Sequence, residues 1–272
     1  MRKLNQRLQQ QILLTGWLFL LAGVLLSGCH RKPVQVSVTE EDARRANQAM
    51  DEGDNAFARK DYYAALIKYL EASRRNPNNE NISNRLGITY SQLSFYNEAR
   101  SAFQRSLEIN SKFPFGWNNL GSIYFIQLNH RKAERYFKKA IHLKSDEPSF
   151  HVNLGSLYLE KKKPEKAMAE WRKALALDPE ALTKSNAVSL TGAGRGSLKE
   201  KHYSLARIYA SNGNVAAAIE SLTKACANGF SNIEDIGKEP DFNRIRNDKR
   251  FIEFLKNMPL LIKPQDKPES RS

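Results

Sequence analysis

The chain reads as an all-α solenoid of five helix-turn-helix repeats followed by one closing helix. Three observations predict this class. A 34-residue period runs through units at 46–79, 80–113, 114–147, 148–181 and 199–232. Small residues recur at its eighth position (Gly53, Gly87, Gly121, Gly155, Ala206) and its twentieth (Ala65, Ala99, Ala133, Ala167, Ala218). Large residues recur at the twenty-fourth (Tyr69, Phe103, Phe137, Trp171, Leu222), and tyrosine at the eleventh in four units (Tyr90, Tyr124, Tyr158, Tyr209). A self-similar period of this length marks stacked supersecondary units, none of which buries its apolar face alone.

Composition sets the outer bounds. The chain has 272 residues, 41% hydrophobic and 26% charged, which argues against wholesale disorder and against a polytopic membrane protein. Lys and Arg number 43 against 29 Asp and Glu, a net charge of +14 that by itself invites a nucleic-acid or membrane-surface reading. Two cysteines, Cys29 and Cys226, exclude a disulfide framework and a Cys-rich zinc module. Five histidines leave little room for a metal cluster, so neither metal nor cofactor is expected.

The elements follow in order. Residues 1–28 form a secretory signal: Arg2, Lys3 and Arg7 precede a 15-residue uncharged run, Ile12–Leu26, and small residues close it. That run is short for a bilayer span, which needs about 20 apolar residues. Residues 29–45 are a polar tether leading to a helix start, where Thr39 and Asp42 have N-terminal capping spacing. Residues 46–181 hold four repeats, and Pro77 and Pro179 close second helices because proline cannot continue a helix. Glu52 and Ala56 leave the first repeat without two packing residues, as suits a terminal unit. Residues 182–198 are an inter-repeat loop. Its Gly192–Ser197 stretch is no phosphate cradle, since no strand precedes it and no lysine directly follows its last glycine. Residues 199–258 hold the fifth repeat and the closing helix, whose apolar turn is Phe251, Ile252 and Leu255. Residues 259–272, rich in proline and charge, are expected to be disordered.

Two resemblances sharpen this. Leu26-Ser27-Gly28-Cys29 resembles a bacterial lipobox, which implies cleavage before Cys29 and acylation of its thiol. Plain cleavage and an uncleaved anchor helix over residues 12–29 stay open as alternatives. His30 follows the cysteine, where aspartate would imply inner-membrane retention, so the resemblance points to the outer membrane facing the periplasm in a Gram-negative cell. The repeats resemble the tetratricopeptide repeat, most closely at Trp117-Asn118-Asn119-Leu120-Gly121-Ser122-Ile123-Tyr124. That resemblance implies a right-handed superhelix whose concave face, lined by the first helix of each unit, binds protein segments.

In the family, positions 2, 5, 6, 9, 12 and 13 point into that groove. They include Asn84, Asn118, Asn119, Ser122, Phe125, Ile126, Asn153, Ser156, Leu159, Tyr203 and Arg207. Asparagines here imply a grip on a peptide backbone, because an amide offers both a donor and an acceptor. Asn119 and Asn153 are expected to be exposed. A clamp for a C-terminal carboxylate uses cations at positions 2, 5 and 9, and units one to three carry none there.

Arg131–Lys144 is the strongest basic run. Arg131, Lys132, Arg135, Lys138 and Lys139 fall on outward positions of a second helix, and Lys161–Lys163 with Lys166 extend the patch. A solvated convex face is its plain reading, and anionic lipid headgroups or an acidic partner are the alternative. Nucleic acid is not expected, since no aromatic stacking array accompanies the cations.

No catalytic motif is present: neither His-Glu-x-x-His, Gly-x-Ser-x-Gly nor a Walker lysine. His130, His142, His151 and His202 form no ligand cluster, and His151 and His202 fall where a large side chain packs. Cys226 reads as a buried, inert thiol. The chain is therefore read as a non-enzymatic, lipid-anchored adaptor for a protein or peptide client in cell-envelope assembly, without a small-molecule substrate. A pilotin-like pilus or secretion-assembly lipoprotein and a regulator of envelope hydrolases or proteases are the alternatives.

Overall fold

In the computed structural model, which describes residues 37–184, 195–232, 236 and 238–261, helices pair into five successive hairpins. α1 (Glu40–Ala58) pairs with α2 (Tyr62–Arg75), and α3 (Glu80–Gln92) with α4 (Tyr96–Ile109). α5 (Pro114–Ile126) pairs with α6 (His130–Leu143), and α7 (Pro148–Glu160) with α8 (Pro164–Leu177). A short α9 (Ala181–Lys184) precedes the last pair, α10 (Arg195–Ser211) with α11 (Val215–Ala227). A 3-10 turn (Pro240–Phe242) and α12 (Lys249–Leu261) follow. No strand occurs among the described residues. The fold is the expected all-α helical-hairpin solenoid with a closing helix.

Steric fit holds each hairpin shut. A methyl group built on Gly53 would lie 2.6 Å from the Tyr69 ring, and one on Gly87 2.5 Å from Phe103. On Gly121 it would lie 2.8 Å from Phe137, and on Gly155 2.4 Å from Trp171. Each aromatic of the second helix thus rests on bare backbone of the first. The fifth hairpin exchanges both partners: Leu222 replaces the aromatic and Ala206 the glycine, and both are fully buried. A smaller side chain at one position admits a methyl at the other.

The turn inside each hairpin repeats as well. Leu128 N–H donates to Phe125 O at 2.9 Å and Asn129 N–H to Tyr124 O at 2.8 Å. This 5→2 and 6→1 pair is a Schellman motif, which places one residue in the left-handed region. That residue is Lys60, Ser94, Leu128, Lys162 or Gly213, with φ from 56° to 78°. Only the last hairpin uses glycine there. The next residue caps the second helix: Asp61, Asn129 and Asn214 each accept a backbone N–H through their side chains.

The two ends differ from expectation in detail. Thr39 caps α1, its hydroxyl accepting from Asp42 N–H at 3.1 Å. The helix therefore starts at Glu40, ahead of the first repeat unit at 46. At the other end Phe251, Phe254 and Met258 bury one face of α12 against Ala206, Leu222 and Cys226. Ile252, expected in that face, is exposed, and Leu255 is only partly buried. The 182–198 stretch is helical at both margins, in α9 and at the start of α10, and α12 reaches Leu261. Gly192–Gly194, the signal with Cys29, and residues 262–272 lie outside the described residues.

Adding the one missing methyl at the third hairpin should cost more than helix propensity returns. Gly121→Ala is expected to destabilise the chain by about 1–3 kcal/mol in urea unfolding, although alanine is the better helix former by about 1 kcal/mol.

Candidate protein-binding face

The first helices of neighbouring hairpins are bridged by polar side chains. Asn119 Nδ2 donates to Asn84 Oδ1 at 2.9 Å, joining α5 to α3. Asn153 Nδ2 donates to Asn118 Oδ1 at 2.9 Å, joining α7 to α5. Asn118 Nδ2 donates to Asn119 Oδ1 at 3.1 Å, so the four amides form one chain across three helices. Position six of one repeat thus bonds position five of the repeat before it.

This corrects the expected exposure. Asn153 is 6% exposed, Asn84 and Asn118 are also buried, and Asn119 is half-buried. Ser122 and Ser156 are buried too, and their hydroxyls donate to the carbonyls of Asn118 and Val152 in their own helices. Leu159 belongs to the core. What stays open on this face is a strip of half-buried Ile88, Asn119, Phe125 and Ile126 beside exposed Gln92.

Ion pairs replace amides at the two ends. Arg85 on α3 holds Asp54 on α1 with two hydrogen bonds, Nε to Oδ1 at 2.6 Å and Nη2 to Oδ2 at 2.8 Å. Tyr69 OH donates to the same carboxylate. Burial raises the Asp54 pKa, but the Arg85 and Tyr69 hydrogen bonds outweigh it and the net direction is down.

Arg207 and Tyr203, expected in the groove, are instead tied to the C-terminal segment. Arg207 is 13% exposed in its side chain and meets Glu165 at 2.8 Å, Asp241 at 2.9 Å and Glu239 at 3.0 Å. Arg172 reaches Asp241 as well, at 3.2 Å. Tyr203 stacks on Phe230 with ring centroids 4.4 Å apart. The segment after the last repeat thus reaches α10, where Glu239 and Asp241 bind Arg207 and the Phe242 ring centroid lies 6.3 Å from that of Tyr203.

The basic run lies where it was expected. Arg131, Lys132, Arg135, Lys138 and Lys139 are all exposed on α6, opposite buried Ala133, Phe137 and Ala140. Glu134, at the stripe's edge, is bound by Lys138 at 2.8 Å and by Lys161 of the next hairpin at 2.5 Å. Burial pushes the Glu134 carboxyl up, but these two ammonium groups outweigh it and hold the pKa at about 2.

Other singled-out groups are structural. His151 is buried, with Nδ1 2.7 Å from Glu170 Oε2 and Nε2 donating to Ser145 O at 3.0 Å. Cys226 is buried, and burial pushes its thiol pKa up. Among the described residues no group of three His, Cys, Asp or Glu is placed to hold a metal ion, and no helix is long and apolar enough to cross a membrane.

The amide chain ties the first helices of successive hairpins to one another. The polar bridges should therefore register as stability. Asn153→Ala removes the donor to a buried Asn118 oxygen, and a loss of about 1–3 kcal/mol in urea unfolding is expected. An exposed asparagine would leave the unfolding midpoint unchanged.

Comparison with known proteins agrees with this geometry. Tetratricopeptide repeat models match residues 114–147, 148–181 and 202–227. Small glutamine-rich tetratricopeptide repeat-containing protein 2 of Mycosarcoma maydis is 30% identical over 87 residues, 32% of this chain and 25% of that protein. The chain spans about a quarter of the length of the curated relatives it matches. Among solved structures, pilF of Pseudomonas aeruginosa superposes with a TM-score of 0.55 at 15% identity, covering 81% of this chain and 94% of that one. A thermophilic tetratricopeptide repeat protein of Thermus thermophilus gives 0.50 at 20% identity, covering 78% and 99%. The third, fourth and fifth helical hairpins thus match tetratricopeptide repeats over residues 114–147, 148–181 and 202–227, and the whole array shares the fold of such solenoids.

Proposed function

We propose that this chain is a lipid-anchored adaptor that holds segments of partner proteins along its first-helix face during cell-envelope assembly. Tetratricopeptide repeats act as protein-binding scaffolds, and these repeats serve in that way. One observation carries the reading. In the second and third repeats the face sets half-buried Ile88, Asn119 and Phe125 beside exposed Gln92, on helices spaced by the amide chain, and its cation there, Arg85, is paired with Asp54. Apolar and amide groups suit an uncharged extended segment, whose backbone can use the remaining amide valences of Asn119. A client held by a terminal carboxylate would need free cations, and Arg85 is already committed to Asp54.

Anchoring rests on the basic and apolar segments of residues 1–28 and on the lipobox ending at Cys29. Acyl chains contribute about 0.8 kcal/mol per buried methylene, so two or three of them suffice for a stable tether. A pilotin-like role in pilus or secretion-system assembly is a second reading. It is favoured by a helical array as extensive as that of pilF, a likeness of fold only.

Two measurements test the proposal. Metabolic palmitate labelling is expected in the native chain and absent in Cys29→Ser; persistent label in that variant removes the anchor. Photo-crosslinking in envelope extract with a probe at position 92 should capture a client, and Phe125→Ala should reduce capture by at least about tenfold with helicity retained. Unchanged capture sinks the groove. Pilus or secretion-system subunits among the captured proteins support the second reading.

A further inference from the structure

The edge formed by the hairpin turns of units three and four carries a combination found at no other turn of the five. Leu128 sits at the tip of the α5–α6 turn, 72% exposed, with φ of 59°. Side chains other than glycine are disfavoured in that conformation, and a leucine there gains no burial in return. The equivalent tips elsewhere are Lys60, Ser94, Lys162 and Gly213. Arg131 and Lys132 follow Leu128 within the first turn of α6, and Arg135 and Lys139 continue the same stripe. On the adjacent hairpin Lys162, Lys163 and Lys166 are exposed. Within the described residues, none of these seven cations has a carboxylate partner.

Among the second helices the surplus is largest here: α6 has five Lys and Arg against one Glu, whereas α2 has three against one, α4 two against two and α8 three against two. The single acid, Glu134, is already neutralised by Lys138 and Lys161. A protruding apolar side chain on the same edge as cations that lack carboxylate partners fits a negatively charged surface with an apolar interior.

We propose that this edge docks on an anionic lipid bilayer, with Leu128 entering the headgroup layer and the flanking cations meeting lipid phosphates. The contact is separate from acylation of Cys29 and from whatever occupies the first-helix face. It orients the solenoid so that its turn edge, not its binding face, lies against the membrane.

The test uses the mature chain, residues 29–272 with Cys29→Ser, so that neither the apolar run Ile12–Leu26 nor an acyl chain contributes, with Gln127→Cys carrying an environment-sensitive fluorophore. Cys226 is buried and stays unlabelled. Brominated-lipid quenching is read on vesicles of phosphatidylcholine alone and of phosphatidylcholine with phosphatidylglycerol. Quenching is expected only on the anionic vesicles and should fall as salt rises. Arg131→Glu/Lys132→Glu/Lys162→Glu/Lys163→Glu should weaken it by more than about tenfold. Leu128→Gly, which suits the turn and so keeps the fold, should abolish it. Equal quenching on both vesicles, quenching on neither, or a signal unchanged by the charge reversal or by Leu128→Gly overturns the proposal. Absence on both would leave an acidic protein as the partner for these cations.

Discussion

The contact between position eight and position twenty-four of each repeat sets everything else. An aromatic ring laid on bare glycine backbone brings two helices close enough to exclude water along their length. Burying each such ring contributes about 2–3 kcal/mol, and the missing Cβ is what allows the approach. Gly87 against Phe103, Gly121 against Phe137 and Gly155 against Trp171 repeat the same fit. Once those faces are committed inward, the remaining faces are assigned. Cations at positions such as Arg135 and Lys139 must point outward, and positions five and six of the first helices must meet the next hairpin.

That last consequence decides what the first-helix face can be. Positions five and six lie where successive first helices approach, so side chains there are covered by the neighbour as much as by a ligand. Uncharged amides suit this place because each can give and accept within a dry seam, whereas an unpaired charge there would be costly. Asn84, Asn118, Asn119 and Asn153 thus space the helices, and the half-buried strip beside them is what stays accessible. The ion pairs that join first helices to their neighbours lie toward the ends, in Asp54 with Arg85 and in Arg207 with its three carboxylates. In the second and third repeats the face is close to neutral, whereas the exposed side of α6 is strongly basic.

Periodicity made the hairpins legible. The small and large positions are fixed by contacts within one unit, at constant sequence separation, and Thr39 and the closing helix follow from local capping and the need to cover a solenoid end. Contacts between units were less legible, because they depend on how neighbouring helices are offset. Asn153 looked like a free groove residue for that reason, and so did Arg207, whose partners Glu239 and Asp241 arrive from a segment outside the repeat. Within α12 the periodicity was present but misassigned: Phe251, Phe254 and Met258 form the buried face, and Ile252 turns outward. The left-handed turn residue was hidden because four of the five units place lysine, serine or leucine where glycine would have announced it.

The fifth hairpin offers the most direct test of the constraint, because it has exchanged both partners. Urea unfolding of Leu222→Phe should show destabilisation while Ala206 is present, since the ring would meet that methyl group. In an Ala206→Gly background the same substitution should be neutral or stabilising. A coupling free energy of about 1–3 kcal/mol between the two positions is the result this account predicts. An equal effect of Leu222→Phe in both backgrounds would contradict it.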